Sequence, residues 1–153
     1  MPIKIRQAAS EDLPAILAFE QGVVAAERPY NNEVKDGTVQ YYDMAALISS
    51  DQSRVLVAED SGRLVATGHA TLKSSSNYLN HDRHAYLGLM FVEPEYRGQG
   101  IIQEIIAGLL QWSRSEGVTN FYLDVYGENV AAVKAYEKLG FRPNLVEMRL
   151  HDK

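Results

Sequence analysis

Between an apolar stretch ending at Val92 and an apolar, helix-patterned stretch stand Arg97-Gly98-Gln99-Gly100, residues suited to holding an anion. A helix start leaves several backbone N–H groups unpaired beside the positive end of its dipole, and glycine lets a phosphate oxygen approach that backbone. The loop is therefore a candidate pyrophosphate cradle. It lacks the lysine and hydroxyl of a nucleoside-triphosphate loop, and Gln103 stands where a dinucleotide fingerprint needs its third glycine. Taken alone, the two glycines also fit a tight strand-to-helix corner.

A second constellation lies downstream. Asn129, Ala132 and Tyr136 share one face of a helix, and Gly140-Phe141 follow as its stop signal. A tyrosine in that place is either core with a satisfied hydroxyl or, beside a phosphate loop, a proton donor. His81 and His84 flank Asp82 in a metal-like spacing, but their segment is polar and offers no further ligand, so no metal is expected.

The positioning elements follow from periodicity. Residues 3–7 alternate as a short strand; Ser10 reads as the N-cap of a helix that fades near Arg28-Pro29, and a second helix is expected over Thr38–Ser49. Val55–Ala58, the turn Asp60-Ser61-Gly62 and Leu64–Leu72 form a hairpin. His84–Val92 reads as a buried strand, and Gly98–Gly100 open a helix with apolar positions from Ile101 to Leu110. A strand over Phe121–Val125, a helix over Asn129–Leu139 and a last strand over Asn144–Leu150 complete a β-α-α-β-β-β-α-β-α-β order. That order implies a mixed α/β (α+β) sheet with helices on both faces, in one domain over residues 1–153.

Composition narrows the function classes. The 153 residues are 46% hydrophobic and contain no cysteine, which removes thiol nucleophiles, acyl-cysteine intermediates, thiolate metal sites and disulfides, and suits a reducing cytoplasm. The N-terminus has no signal-peptide core, and no stretch approaches the ~20 apolar residues of a membrane span. A net charge of −5 argues against a nucleic-acid partner. Residues 1–60 hold 5 basic and 10 acidic side chains and carry the whole imbalance.

In these two motifs the sequence resembles the GNAT N-acetyltransferase superfamily. Val92-Glu93-Pro94-Glu95-Tyr96-Arg97-Gly98-Gln99-Gly100-Ile101 matches its acetyl-CoA signature, departing only where Ile102 replaces a Gly or Ala, and Asn129 through Phe141 match its downstream pattern throughout. The resemblance implies a mainly antiparallel sheet, splayed between the strands ending near Val92 and Val125, with acetyl-CoA as co-substrate. It implies pyrophosphate contacts from Arg97, Gly98, Gln99, Gly100 and Ile101, strand-like pairing of the pantetheine arm with Phe91 and Val92, and a hydrogen bond from Asn129 to that arm. A main-chain N–H near Phe91 would stabilise the charge that develops on the thioester oxygen. Tyr136 takes the place of the acid that protonates the leaving thiolate and also borders the cofactor. Asp124, five residues before Asn129, matches the carboxylate base of some members; Glu93 and His84 are the other protein candidates, and a water chain without a single base stays open. Tyr30, Tyr41, Tyr42 and Tyr78 fall in segments that surround the acceptor site in the family.

The function so implied is direct acetyl transfer to a primary amine of a small molecule or peptide, in a ternary complex, without metal. The acidic first 60 residues mildly favour a cationic acceptor. Homodimers are common among similar proteins. The alternative is a catalytically silent CoA or acetyl-CoA sensor.

Overall fold

The computed structural model describes residues 2–152; Met1 and Lys153, the ends of the expected domain, lie outside them. The chain runs β1 (Lys4–Gln7), α1 (Leu13–Glu27), α2 (Met44–Ser49), β2 (Ser53–Asp60), β3 (Arg63–Ser74), β4 (Arg83–Val92), α3 (Ile101–Ser115), β5 (Phe121–Leu123) and α4 (Val130–Lys138). Strand order in the sheet is β1-β2-β3-β4-β5, antiparallel except for the parallel β4–β5 pair. The β2–β3 turn places Ser61 at φ 52° and Gly62 at φ 86°, a twist that matches its strands, as the Asp-Ser-Gly turn predicts.

Two cores lie on opposite faces of the sheet. One packs Ile101, Ile105, Ile106 and Leu109 of α3 against Leu56, Ala70, Ala85 and Leu87, with Tyr136, Leu139 and Phe141 from the α4 region at its margin. Burying each such Ile or Leu contributes about 1.5–3 kcal/mol, so the α3 stripe alone anchors that helix firmly. The other packs Ile16 of α1 and Met44 of α2 against Val55, Val57 and Leu89. Helices therefore cover both faces.

Four local expectations are corrected. Ser10 makes no cap: residues Ser10–Asp12 form a 3-10 turn, and Asp12 accepts the Ala9 N–H at 2.7 Å while pairing with Arg6 at 2.8 Å. Arg6 also pairs with Glu59. The second helix is only Met44–Ser49, capped by Asp43 on the Ala46 N–H at 3.1 Å. Its expected first turns are claimed by α1: Gln21 Oε1 accepts the Val39 N–H at 3.3 Å, and Glu20 Oε2 accepts those of Tyr41 and Tyr42 at 3.0 and 3.1 Å. Those bonds occupy the amides that a helix would need there.

The expected last strand, Asn144–Leu150, does not form, and the segment joins no sheet among the described residues. Arg149 instead binds Glu33 at 2.8 Å and contacts Asn31 and Asn32, drawing the segment across the α1–α2 connection and away from a ladder. Its alternating apolar side chains stay in solvent: Val146 is 78%, Met148 88% and Leu150 92% exposed. Strand β5 likewise ends at Leu123 rather than Val125.

Candidate active site

The β4–β5 ladder stops at Leu87↔Leu123, while β4 runs on to Val92. Gly88–Val92 therefore keep an edge free of sheet pairing, the splay that the resemblance implies. On the other edge the β3 register jumps from Thr67↔Phe91 to His69↔Gly88, so β4 holds one extra residue. This β-bulge carries Leu89, buried and at φ 53°. A non-glycine residue held there stores strain, and a bulge re-aims the main chain beside it into the splay. No sequence signal marked it.

Below the bulge the packing is tight. A Cβ on Gly88 would meet the Tyr42 hydroxyl at 2.4 Å and His69 Nε2 at 2.9 Å. His69 is 1% exposed, its ring meets that of Tyr42 edge-on at 4.5 Å, and its Nε2 has no partner. Burial, with Lys73 nearby, holds its imidazole down at about 4, so His69 is neutral at pH 7. No sequence signal marked it, because a histidine in an apolar strand looks like any core residue.

Past the open edge comes the loop. Gly98 and Gly100 take φ 80° and 81°, and a Cβ would meet nothing nearer than Gln103 Oε1, at 4.0 Å from Gly100. Both glycines answer to backbone conformation, and the space they leave is open. Gly100 occupies the N-cap of α3 and brings no side-chain acceptor, so the first-turn amides remain available to an anion. Arg97 donates from Nε to the Val92 carbonyl at 2.9 Å, with its guanidinium 5.8 Å over the Phe91 ring. Phe91 itself stacks on Phe19 of α1 at 5.3 Å. Loop and open edge thus form one surface, and its positive-φ glycines and uncapped amides fit the pyrophosphate and arm of CoA.

Asn129 caps α4 through its side-chain oxygen, which accepts the Ala132 N–H at 3.2 Å and leaves its amide NH2 as a donor. Tyr136, in the last turn of α4, is half-buried against Phe141. Desolvation first, then the charges of Glu27 and Tyr42, raise its phenol above the ordinary tyrosine value. The hydroxyl is therefore a protonated donor at pH 7.

Asp124 is exposed just past β5 and accepts a hydrogen bond from the Tyr86 hydroxyl at 3.1 Å. Desolvation and the neighbouring Tyr42 and Asp124 push the Tyr86 phenol far above its usual value, so it acts as a donor to the carboxylate. Glu27, half-buried at the end of α1 and raised by desolvation, adds negative potential that reaches Tyr41, Tyr42 and Tyr136. Tyr30 stacks on Tyr126 at 6.1 Å, and Asn31 donates to the Tyr126 hydroxyl at 2.8 Å. Asp124, Tyr136, Tyr42 and Tyr86 are thus brought to one region.

Glu93 is placed elsewhere. It lines a cleft of about 430 Å³ with Glu11, Asp12, Phe19, Arg63 and Leu64, at the β2–β3 turn end of the sheet. His84 lies at the start of β4, bonded through Nδ1 to Ser75 at 2.9 Å. Tyr78 is 83% exposed in the β3–β4 connection. Among the described residues no group of three or more metal-type ligands is gathered, and no helix is long and apolar enough to cross a membrane.

The profile of the Acetyltransferase (GNAT) family matches residues 19–141, from the middle of α1 to the residue that follows Gly140. The chain belongs to the GNAT acetyltransferase family. Glucosamine 6-phosphate N-acetyltransferase of Trypanosoma brucei brucei is 32% identical over 99 residues, 64% of this chain and 64% of that protein. Two further curated relatives are covered over only 25% and 35% of their length, so the chain spans less than two thirds of these relatives. In fold, this GNAT chain is similar to a Bacillus halodurans protein solved as a tetramutant, with a TM-score of 0.82 at 23% identity, covering 97% of this chain and 99% of that one. It is also similar to a predicted acetyltransferase from Clostridium acetobutylicum solved with acetyl-CoA, with a TM-score of 0.74 at 16% identity, covering 98% and 96%. These likenesses establish the GNAT architecture.

Proposed function

We propose that this GNAT chain is an acetyl-CoA-dependent N-acetyltransferase that acetylates a primary amine by direct attack in a ternary complex. The observation that carries the reading is that a protonated phenol, Tyr136, and a solvent-facing carboxylate, Asp124, share one region with a strand edge left free of pairing. Acetyl-CoA supplies the acetyl group as a thioester. Arg97 and the amides from Gly98 to Ile101 hold its pyrophosphate, Phe91 and Val92 pair with its arm, and Asn129 donates to it.

Asp124 takes the proton from the acceptor ammonium, whose ordinary pKa of ~8–10.4 otherwise leaves little free amine at pH 7. The nitrogen lone pair then forms the N–C bond as the C–S bond breaks. Tyr136 gives its proton to the departing sulfur, a thiol of pKa near ~8.5, and the second proton, shed by the nitrogen as the amide forms, restores the phenol. With no cysteine in the chain, no thioacyl-enzyme intervenes. Glu27 and Asp124 beside aromatic rings favour a cationic amine.

Two further readings belong here. The solvent-facing Leu145, Val146, Met148 and Leu150 support a homodimer in which a second copy covers the C-terminal segment. Freedom from cysteine supports a cytoplasmic location.

The test is a calorimetric titration with acetyl-CoA, CoA and ATP in parallel, followed by an amine panel with free thiol monitored. Binding of both CoA forms but not ATP, with thiol released only when an amine is present, is expected. Binding without release across the panel would favour the sensor; failure to bind CoA would overturn the assignment of Arg97–Ile101.

A further inference from the structure

The sheet face that carries Tyr86 and Asp124 does not end with them. The β3–β4 register sets Lys73 opposite His84, Thr71 opposite Tyr86 and His69 opposite Gly88, all on the face away from α3. Tyr122 joins them from β5, opposite Tyr86. One end of this strip is acidic, with Asp124 at the Tyr86 hydroxyl. The other end is basic.

Lys73 is exposed, and its ammonium lies 5.0 Å from the centre of the Tyr86 ring. No salt bridge among the described residues engages it. Its charge bears on both His69 and His84. His81 and His84 approach the same Ser75 hydroxyl, at 2.8 and 2.9 Å, and His81 Nε2 meets the Tyr122 hydroxyl at 3.2 Å. Desolvation, then His81 and Lys73, lower the His84 imidazole, and no carboxylate acts to raise it. The ammonium thus stands beside two imidazoles with no carboxylate in a salt bridge to it. Such a cluster gains from an anion, which would satisfy Lys73 and favour the charged form of His84.

We propose that the acceptor is an amine that also carries an anionic group, carboxylate or phosphate, with its amine at Asp124 and its anion held by Lys73 and His84. This rests on the acetyl-transfer reading and names its substrate class. The two charges of the ligand would stand roughly 6–13 Å apart, the span of two to four residues along a strand. The Tyr86 ring floors the space between them. An unsubstituted diamine would meet like charge at the Lys73 end, so the strip selects against it.

The experiment compares matched acceptors: lysine against 1,5-diaminopentane, and glucosamine 6-phosphate against glucosamine. Thiol release gives kcat/KM, and calorimetry on the CoA-loaded protein gives affinity. The anionic member of at least one pair is expected to be favoured 10-fold or more in both readouts, and the pair that discriminates tells carboxylate from phosphate. Lys73→Met should collapse that ratio towards one, and Lys73→Arg should largely retain it. Equal binding of both members in both pairs, or a ratio untouched by Lys73→Met, overturns the proposal. Lys73-dependent binding without thiol release would sink the acetyl-transfer reading and leave the anion site standing.

Discussion

The Tyr86 hydroxyl donates to Asp124 Oδ2 at 3.1 Å, joining β4 to the chain beyond β5 just where their ladder ends at Leu87↔Leu123. The bond holds an exposed carboxylate beside the end of that ladder. Asp124→Asn should lower kcat/KM by about 10²–10⁴, the usual loss of a general base. Tyr86→Phe removes one charge-assisted bond, on the order of 1.5 kcal/mol, and should cost about 10-fold. Steady-state kinetics beside acetyl-CoA calorimetry check both: affinity for acetyl-CoA should stay within about twofold.

Tyr136 keeps its proton to beyond pH ~10, because its phenol lies above the ordinary value. Tyr136→Phe should reduce kcat by about 10²–10⁴ near pH 7. The deficit should narrow above pH ~8.5, where sulfur can leave as the thiolate without a donor. A pH series of kcat for both proteins decides; a deficit constant with pH removes the acid role from Tyr136.

Glycine substitutions separate conformation from ligand contact. Gly100→Ala forces an L side chain to φ 81°, at a cost of about 1–2 kcal/mol, and should weaken CoA binding by about 10-fold. Gly117→Ala meets the same penalty at φ 86°, beyond the far end of α3. It should lower stability alike and leave CoA affinity alone. Denaturant melts and calorimetry on the two variants give the comparison.

Stability should fall between pH ~6.5 and 4. His69 has a folded pKa of about 4 against ~6.5 in the unfolded chain, so across that window only the unfolded chain takes up the proton. The contribution is complete above ~6.5 and lost as pH falls, about 3 kcal/mol in all. His69→Gln should flatten this slope in urea melts. Below pH ~4 a second decline is expected from Asp12, whose carboxyl Arg6 holds below its usual range.

The homodimer reading predicts that Met148→Asp with Leu150→Asp, at positions 88% and 92% exposed, gives a folded monomer. Sedimentation of the parent and the variant reads it. A parent that sediments as a monomer at micromolar concentration removes this role from the segment.

Local chemistry was legible in the residues themselves. Gly62, Gly98 and Gly100 adopt the positive φ that glycine allows, and Asn129 caps α4 as its place before Val130 suggests. The apolar stripe of α3 packs as its period requires, and the order of elements follows the pattern up to α4. Each of these depends on residues within a turn or two of one another.

What the tertiary structure decided depends on distant partners. Thr38–Tyr42 stays out of a helix with Glu20 and Gln21 taking amides of Val39, Tyr41 and Tyr42, and in the segment Asn144–Leu150 Arg149 reaches back to Glu33. Leu89 is driven to φ 53° by a register jump against β3, which no property of leucine foretells. His69 was silent in the sequence, and Lys73, Tyr86 and Asp124 became neighbours only through strand pairing. Backbone preference and periodicity are written in adjacent residues; which side chains meet across a sheet is settled by register, a property of the whole fold.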